Sequence, residues 1–126
     1  MTDHGLFHWN ELMTHDAAKA KKFYTDTVGW TFEDMEMPKG TYSMMKVGDK
    51  FAGGIFEMKE PELKDVPEKW VPYLSVDDVD ARLKKASAAG ATILRLAVDV
   101  PGVGRFAILQ EPGGAVVGFI TPAAQG

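Results

Sequence analysis

Trp70-Val71-Pro72-Tyr73-Leu74-Ser75-Val76-Asp77-Asp78-Val79-Asp80 is a short apolar run ending on paired aspartates. That is the pattern of a strand feeding a helix through an acidic N-cap. The same order stands 62 residues earlier, where Trp9, Leu12 and Met13 lead to Thr14-His15-Asp16. A shift of 62 lays Trp9 on Val71, Asp16 on Asp78, Gly40 on Gly102 and Phe56 on Gly118, and brings Gly29 within one residue of Gly90. A repeat of this length marks a duplicated supersecondary unit, with a ligand site expected where the units meet.

Outward from these anchors, residues 6–13 read as a strand and Ala17 to about Val28 as a helix. Ala20, Phe23, Tyr24 and Val28 recur at helical spacing on its inner face, and Gly29 stops it. Strands follow near 30–37, 41–47 and 51–58. The charged segment 59–69, with its two prolines and no period, reads as a linker. In the second half a strand at 70–76 runs into a helix ending at Ala89, with Val79, Leu83 and Ala86 inward and Gly90 as its stop. Strands near 92–99, 103–110 and 115–121 follow, the last two joined by a tight turn at Glu111-Pro112-Gly113-Gly114. The expected class is α+β: a single domain over 1–126, built from one β-α-β-β-β module at 1–58 and another at 70–126. A helix covers only one face of such a sheet, so the two sheets are expected to form an open cup with one helix outside each.

Composition narrows the function classes. A chain of 126 residues suits one domain, and 45% hydrophobic with 25% charged residues is an average globular balance. The absence of cysteine excludes disulfides, thiolate nucleophiles and cysteine-ligated zinc. The net charge is −4, and the lysines occur as scattered pairs, Lys21-Lys22 and Lys84-Lys85, without interleaved aromatics. Nucleic acid is therefore not an expected partner. No apolar run approaches the roughly 18 residues of a membrane helix. Met1-Thr2-Asp3-His4-Gly5 lacks the basic flank and apolar core of a signal peptide. The expectation is a cytoplasmic protein with no membrane partner.

Several short motifs occur in order: Asp16 followed by Phe23-Tyr24 and Gly29-Trp30; Val76-Asp77-Asp78-Val79-Asp80; Ala89-Gly90-Ala91; and Gly104-Arg105-Phe106-Ala107 leading to Glu111-Pro112-Gly113-Gly114. Together, over the whole chain, they resemble the vicinal oxygen chelate superfamily, the glyoxalase/bleomycin-resistance/dioxygenase group. The openings at Trp9 and at Trp70-Val71-Pro72-Tyr73 are most similar to a branch of small glyoxalase-like proteins. The resemblance implies the paired-module fold. It does not choose among the lyases, epimerases, dioxygenases, thiol transferases and drug binders that this fold hosts.

The resemblance also implies where a divalent ion would be held, by side chains on the first and last strands of each half. The family spacing before the capping aspartates leads to Trp9 and Val71, the spacing after Gly114 leads to Gly118, and the repeat carries Gly118 to Phe56. None of these four side chains is a metal donor, so neither a metal nor another cofactor is expected. His4, His8 and His15 are the only imidazoles, and strand alternation points His8 away from Trp9 and Glu11. Glu57, one residue beyond Phe56, would return a single carboxylate if the register shifted.

Alternation places Trp9, Glu11 and Met13 on the cup face of the first strand, Val71, Tyr73 and Ser75 on that of the fifth, and Val116, Gly118 and Ile120 on that of the last. Phe56, with Tyr42, Met44, Phe106 and Ile108 on the middle strands, completes an aromatic and methionine-rich lining. Such a surface suits a flat or apolar ligand, although rings of this size also fill space by packing alone. Glu11 is the candidate catalytic residue: among Trp9, Phe56 and Phe106 a desolvated carboxylate suits a general base or a counter-charge. A surface glutamate is the plainer alternative. Arg105 opposes Phe106 and reads as a surface or interface residue, and Gly53-Gly54 and Gly113-Gly114 as turn or close-packing glycines. The leading expectation is a metal-free small-molecule binder, with lyase, isomerase or hydrolase activity through Glu11 as its catalytic form. A metal-dependent lyase of the methylglyoxal-detoxifying type or a dioxygenase, and a non-enzymatic homodimeric interaction module, are the alternatives.

Overall fold

A computed structural model of the chain describes residues 3–37, 40–100 and 102–123. The elements run β1 (Phe7–Thr14), α1 (Ala17–Val28), β2 (Thr31–Met37), β3 (Gly40–Val47), β4 (Lys50–Glu57), a 3-10 turn (Pro61–Leu63), β5 (Lys69–Ser75), α2 (Val79–Ala88), β6 (Thr92–Val100), β7 (Gly104–Gln110) and β8 (Val116–Pro122). Most of their ends lie within a residue or two of those expected. The chain divides into two compact units, Trp9–Val71 and Pro72–Gly126 with Met1–His8. None of the described helices is long and apolar enough to cross a membrane.

In the Trp9–Val71 unit, β2 and β3 pair antiparallel, as do β3 and β4, and β1 lies parallel to β4. α1 is held at both ends. The Asp16 carboxylate accepts the Lys19 N–H at 3.0 Å, Glu57 Oε2 accepts the Ala17 N–H at 2.7 Å, and Gly29 closes the helix at φ +78°. Leu12, Met45 and Ile55 are buried beneath it, with Ala17, Ala20, Tyr24, Trp30 and Phe32 packed against them. Phe23 and Val28, expected on the inner face, are instead 57% and 60% exposed. The helix turns about 100° per residue, so Phe23 is carried round from Tyr24, and Val28 is the last residue of the helix.

The second unit repeats the arrangement. β6 and β7 pair antiparallel, as do β7 and β8, and β5 runs parallel to β8. Asp78 caps α2 through the Ala81 N–H at 3.1 Å, and Val76, Val79 and Ala107 are buried with Leu83, Ala97 and Phe119 against them. Residues ahead of β1 join this unit, with Gly5 N–H bonded to Ser75 O at 2.7 Å and Ser75 N–H to Leu6 O at 2.8 Å.

The two units differ in register, and this corrects the repeat. Tyr73 on β5 stands opposite Gly118 on β8, whereas Glu11, the sequence counterpart of Tyr73, stands opposite Gly54 rather than Phe56. The cause lies in the hairpins. β7 and β8 are joined by the five-residue turn 111–115, while β3 and β4 are joined by Gly48-Asp49 alone, with a bulge near Met45/Lys46 leaving Ala52 unpaired. The difference moves β4 by two residues, so the structural counterpart of Gly118 is Gly54.

Candidate functional site

Because Leu12, Met45 and Ile55 face α1, strand alternation sends Trp9, Glu11, Met13, Tyr42, Met44, Gly54 and Phe56 to the helix-free face of the first unit. Three of these are joined by hydrogen bonds across three strands. Trp9 Nε1–H donates to Tyr42 Oη at 2.9 Å, and the Tyr42 hydroxyl bonds the Glu11 carboxylate. Burial, and then the charge on Glu11, hold the Tyr42 phenol far above the ordinary tyrosine range. The indole N–H pulls the other way, and desolvation wins. Glu11 is itself buried, at 9% exposure, and Met13 is buried beside it. Trp9, Tyr42, Met44 and Phe56 are half-buried.

What lets Tyr42 cross the sheet is Gly54. A Cβ at that position would fall inside the Tyr42 ring, so the phenol lies directly over the glycine backbone and reaches β1. Gly53, next to it, packs against the Asn10 carbonyl. Both are close-packing glycines inside a strand, with no phosphate-loop geometry.

The second unit has the same device with the tyrosine on the opposite flank. A Cβ at Gly118 would fall inside the ring of Tyr73, which comes from β5. Tyr73 is buried and meets Phe106 edge-on, with centroids 5.9 Å apart at 86°. Phe106 pairs with Ile120, and Ile108 with Gly118, across this helix-free face; Ile108, Ile120 and Ser75 are buried, and Phe106 is half-buried. Val71, the last residue of the first unit, is buried as well. Arg95 was not anticipated: its guanidinium lies 5.9 Å from the Phe106 ring centroid. The only signal for it was an arginine set between Leu94 and Leu96 in an alternating strand.

The donor set can be tested against a divalent ion. Trp9, Phe56, Val71 and Gly118 offer an indole, a phenyl, an isopropyl and a hydrogen, and Gly54, the register counterpart of Gly118, offers nothing more. The indole N–H is committed to Tyr42, and the space above each glycine holds a tyrosine ring. These residues do not fit a divalent cation. Glu57 does not supply the missing carboxylate, since it caps α1 and pairs with Lys59 at 3.1 Å. His4 Nδ1 accepts the Asp77 N–H at 3.1 Å, and His15 Nε2 lies 2.7 Å from Val66 O. Arg105 is spent on Asp80 and Asp99.

Two β-α-β-β-β units of this kind, with these sequence motifs, define a class. The chain belongs to the Glyoxalase/Bleomycin resistance protein/Dioxygenase superfamily, whose sequence model matches residues 5–119. Its α+β fold is that of the superfamily. It is 42% identical over 122 residues to the protein named "Putative glyoxylase CFP32" of Mycobacterium tuberculosis, covering 96% of this chain and 46% of that one. It is 29% identical over 119 residues to the anthracycline biosynthesis protein DnrV of Streptomyces peucetius, covering 85% of this chain and 43% of that one. The chain thus spans about half the length of the curated relatives it matches. Among solved structures, a methylmalonyl-CoA epimerase of Streptomyces coelicolor superposes with a TM-score of 0.70 at 17% identity, over 96% of this chain and 99% of that one. The hypothetical protein BH1468 of Bacillus halodurans gives 0.67 at 13%, over 100% and 96%. At such identities the likeness is one of fold.

Proposed function

We propose that this superfamily member binds a small aromatic or apolar molecule on its helix-free sheet faces without a resident metal. The observation that carries this reading is the Trp9–Tyr42–Glu11 hydrogen-bond chain set beside half-buried Met44 and Phe56. It combines a flat apolar surface with a fixed polar end, the usual make-up of a small-molecule site. Tyr73, Phe106 and Ile108 form the corresponding surface of the second unit, with Gly118 beneath the Tyr73 ring. Glu11 is the group to which we assign any lyase, isomerase or hydrolase step, because it is the buried carboxylate among the described residues. Its partner Tyr42 keeps its proton and so orients the carboxylate as a donor. The name of the mycobacterial relative agrees with a glyoxalase-type substrate, and that of DnrV with a planar aromatic one.

A thermal-shift screen of aromatic and cationic compounds, followed by NMR of the Trp9 indole N–H, tests the proposal. A true ligand stabilises the protein, shifts the indole signal and binds about tenfold more weakly to Tyr42→Phe. If no compound stabilises the chain, or if purified protein carries stoichiometric nickel, zinc, iron or manganese, the reading fails. A cytoplasmic homodimer belongs to the same proposal. Leu94 and Leu96, 48% and 77% exposed on β6, support the pairing, and a monomer in light scattering at high micromolar concentration would remove that part.

A further inference from the structure

Each unit carries a groove on its helix side, and the repeat makes the two comparable. In the second unit a cavity of about 330 Å³ lies between α2 and β5, lined by Leu74, Val76, Ala86 and Phe119 together with Arg82 and Lys85. Arg82 is held in place by a two-pronged pair with Asp77, Nε at 2.8 Å and Nη2 at 2.9 Å, and Nη1 takes no part in that pair. His4, also on the lining, accepts the Asp77 N–H and so helps fix the Asp77 end of the pair. Lys85 stands one turn along the same face, exposed, in no ion pair among the described residues. The equivalent cavity of about 300 Å³ in the first unit has Ala20 where the other has Arg82, and Phe23 where it has Lys85. There the carboxylates of Asp16 and Glu68 share the lining with one cation, Lys19. Duplication has therefore produced one groove twice, with a cationic rim only in the second copy.

We infer that the α2–β5 groove is a binding site for small amphipathic monoanions, a carboxylate or sulfonate on a short apolar body. The volume lies at the lower end of the roughly 300–1,000 Å³ of ligand pockets, which limits the body to a short chain or a single ring. The apolar floor takes the body, and Lys85 with the remaining face of Arg82 takes the charge.

Titration of the isotope-labelled full chain with sodium octanoate, followed by amide NMR, is the test. Octanoate should shift Leu74, Lys85, Ala86 and Phe119 saturably and leave Leu12 and Phe23 unmoved. Butanoate should bind at least tenfold more weakly, since each buried methylene gives about a fourfold gain. Lys85→Glu, an exposed helix position with no packing role, should weaken octanoate about fivefold or more. Octylammonium should leave the groove unshifted. The assignment is overturned if millimolar octanoate gives no saturable shift there, if both grooves respond alike, or if Lys85→Glu binds as the parent does. Shifts confined to Tyr73 and Phe106 would also overturn it, while leaving the helix-free-face proposal standing.

Discussion

At the scale of single residues, the chain invests most in Tyr42. Replacing it with phenylalanine keeps the ring over Gly54 but leaves the Trp9 N–H and the Glu11 carboxylate without their shared partner. Chemical denaturation should show a loss of about 1–3 kcal/mol, the cost of unmatched buried polar groups. The pH response follows from the raised phenol. The folded protein keeps this proton where the unfolded chain, with an ordinary tyrosine near 10, gives it up. Stability from this residue is therefore complete below about pH 10 and declines as pH rises beyond it. Denaturation midpoints measured across pH 8–11 should fall more steeply for the parent than for Tyr42→Phe. This chain of bonds was only half legible in the sequence. Alternation assigned Trp9, Glu11 and Tyr42 to one face, but their contact needs a diagonal reach across β4 that only a glycine at 54 permits.

At the scale of elements, the helices show how much the caps carry. α1 has no buried residue of its own, so its N-terminus depends on Asp16 and on Glu57, which arrives from the end of β4. Glu57→Ala should cost about 1 kcal/mol, close to the cost of Asp16→Ala, in thermal denaturation of the two variants. On the other helix, the Arg82 guanidinium holds Asp77 down to about 2, helped by its own charge and opposed by desolvation. A lowered carboxylate contributes its stability above the unfolded value near 3.9 and loses it as pH falls toward 2. An NMR titration of the Asp77 side chain should therefore show a midpoint well below the ordinary aspartate value near 3.9, and Arg82→Gln should raise it. The caps and stops were readable because Asp16, Gly29, Asp78 and Gly90 stand at fixed offsets from apolar runs. The register of β4 was not, because it also depends on a bulge near Met45/Lys46 that has no residue signature here.

For the molecule as a whole, one duplicated plan has been given two chemical contents. The first unit sets a carboxylate and a phenol on its helix-free face, and the second sets Tyr73, Phe106 and Arg95 there. Elemental analysis of the purified chain should find divalent metal well below one equivalent, and added zinc should leave the melting temperature unchanged. The class of fold was open to reading because the repeat, the caps and the turn glycines agree with one another. The chemistry was less so, since it rests on which ring lies over which glycine. That arrangement couples positions that no linear pattern joins. A glutamate placed at 118 alone has nowhere to go, since the Tyr73 ring already fills the volume its first carbon needs. The single change should cost at least 1–3 kcal/mol, and Tyr73→Ala should rescue it in part, whereas the two costs would simply add if the sites were independent. Any route from this sequence to a carboxylate-lined ion site must then clear the aromatic before it installs the acid, so the order of mutations is constrained by sterics alone.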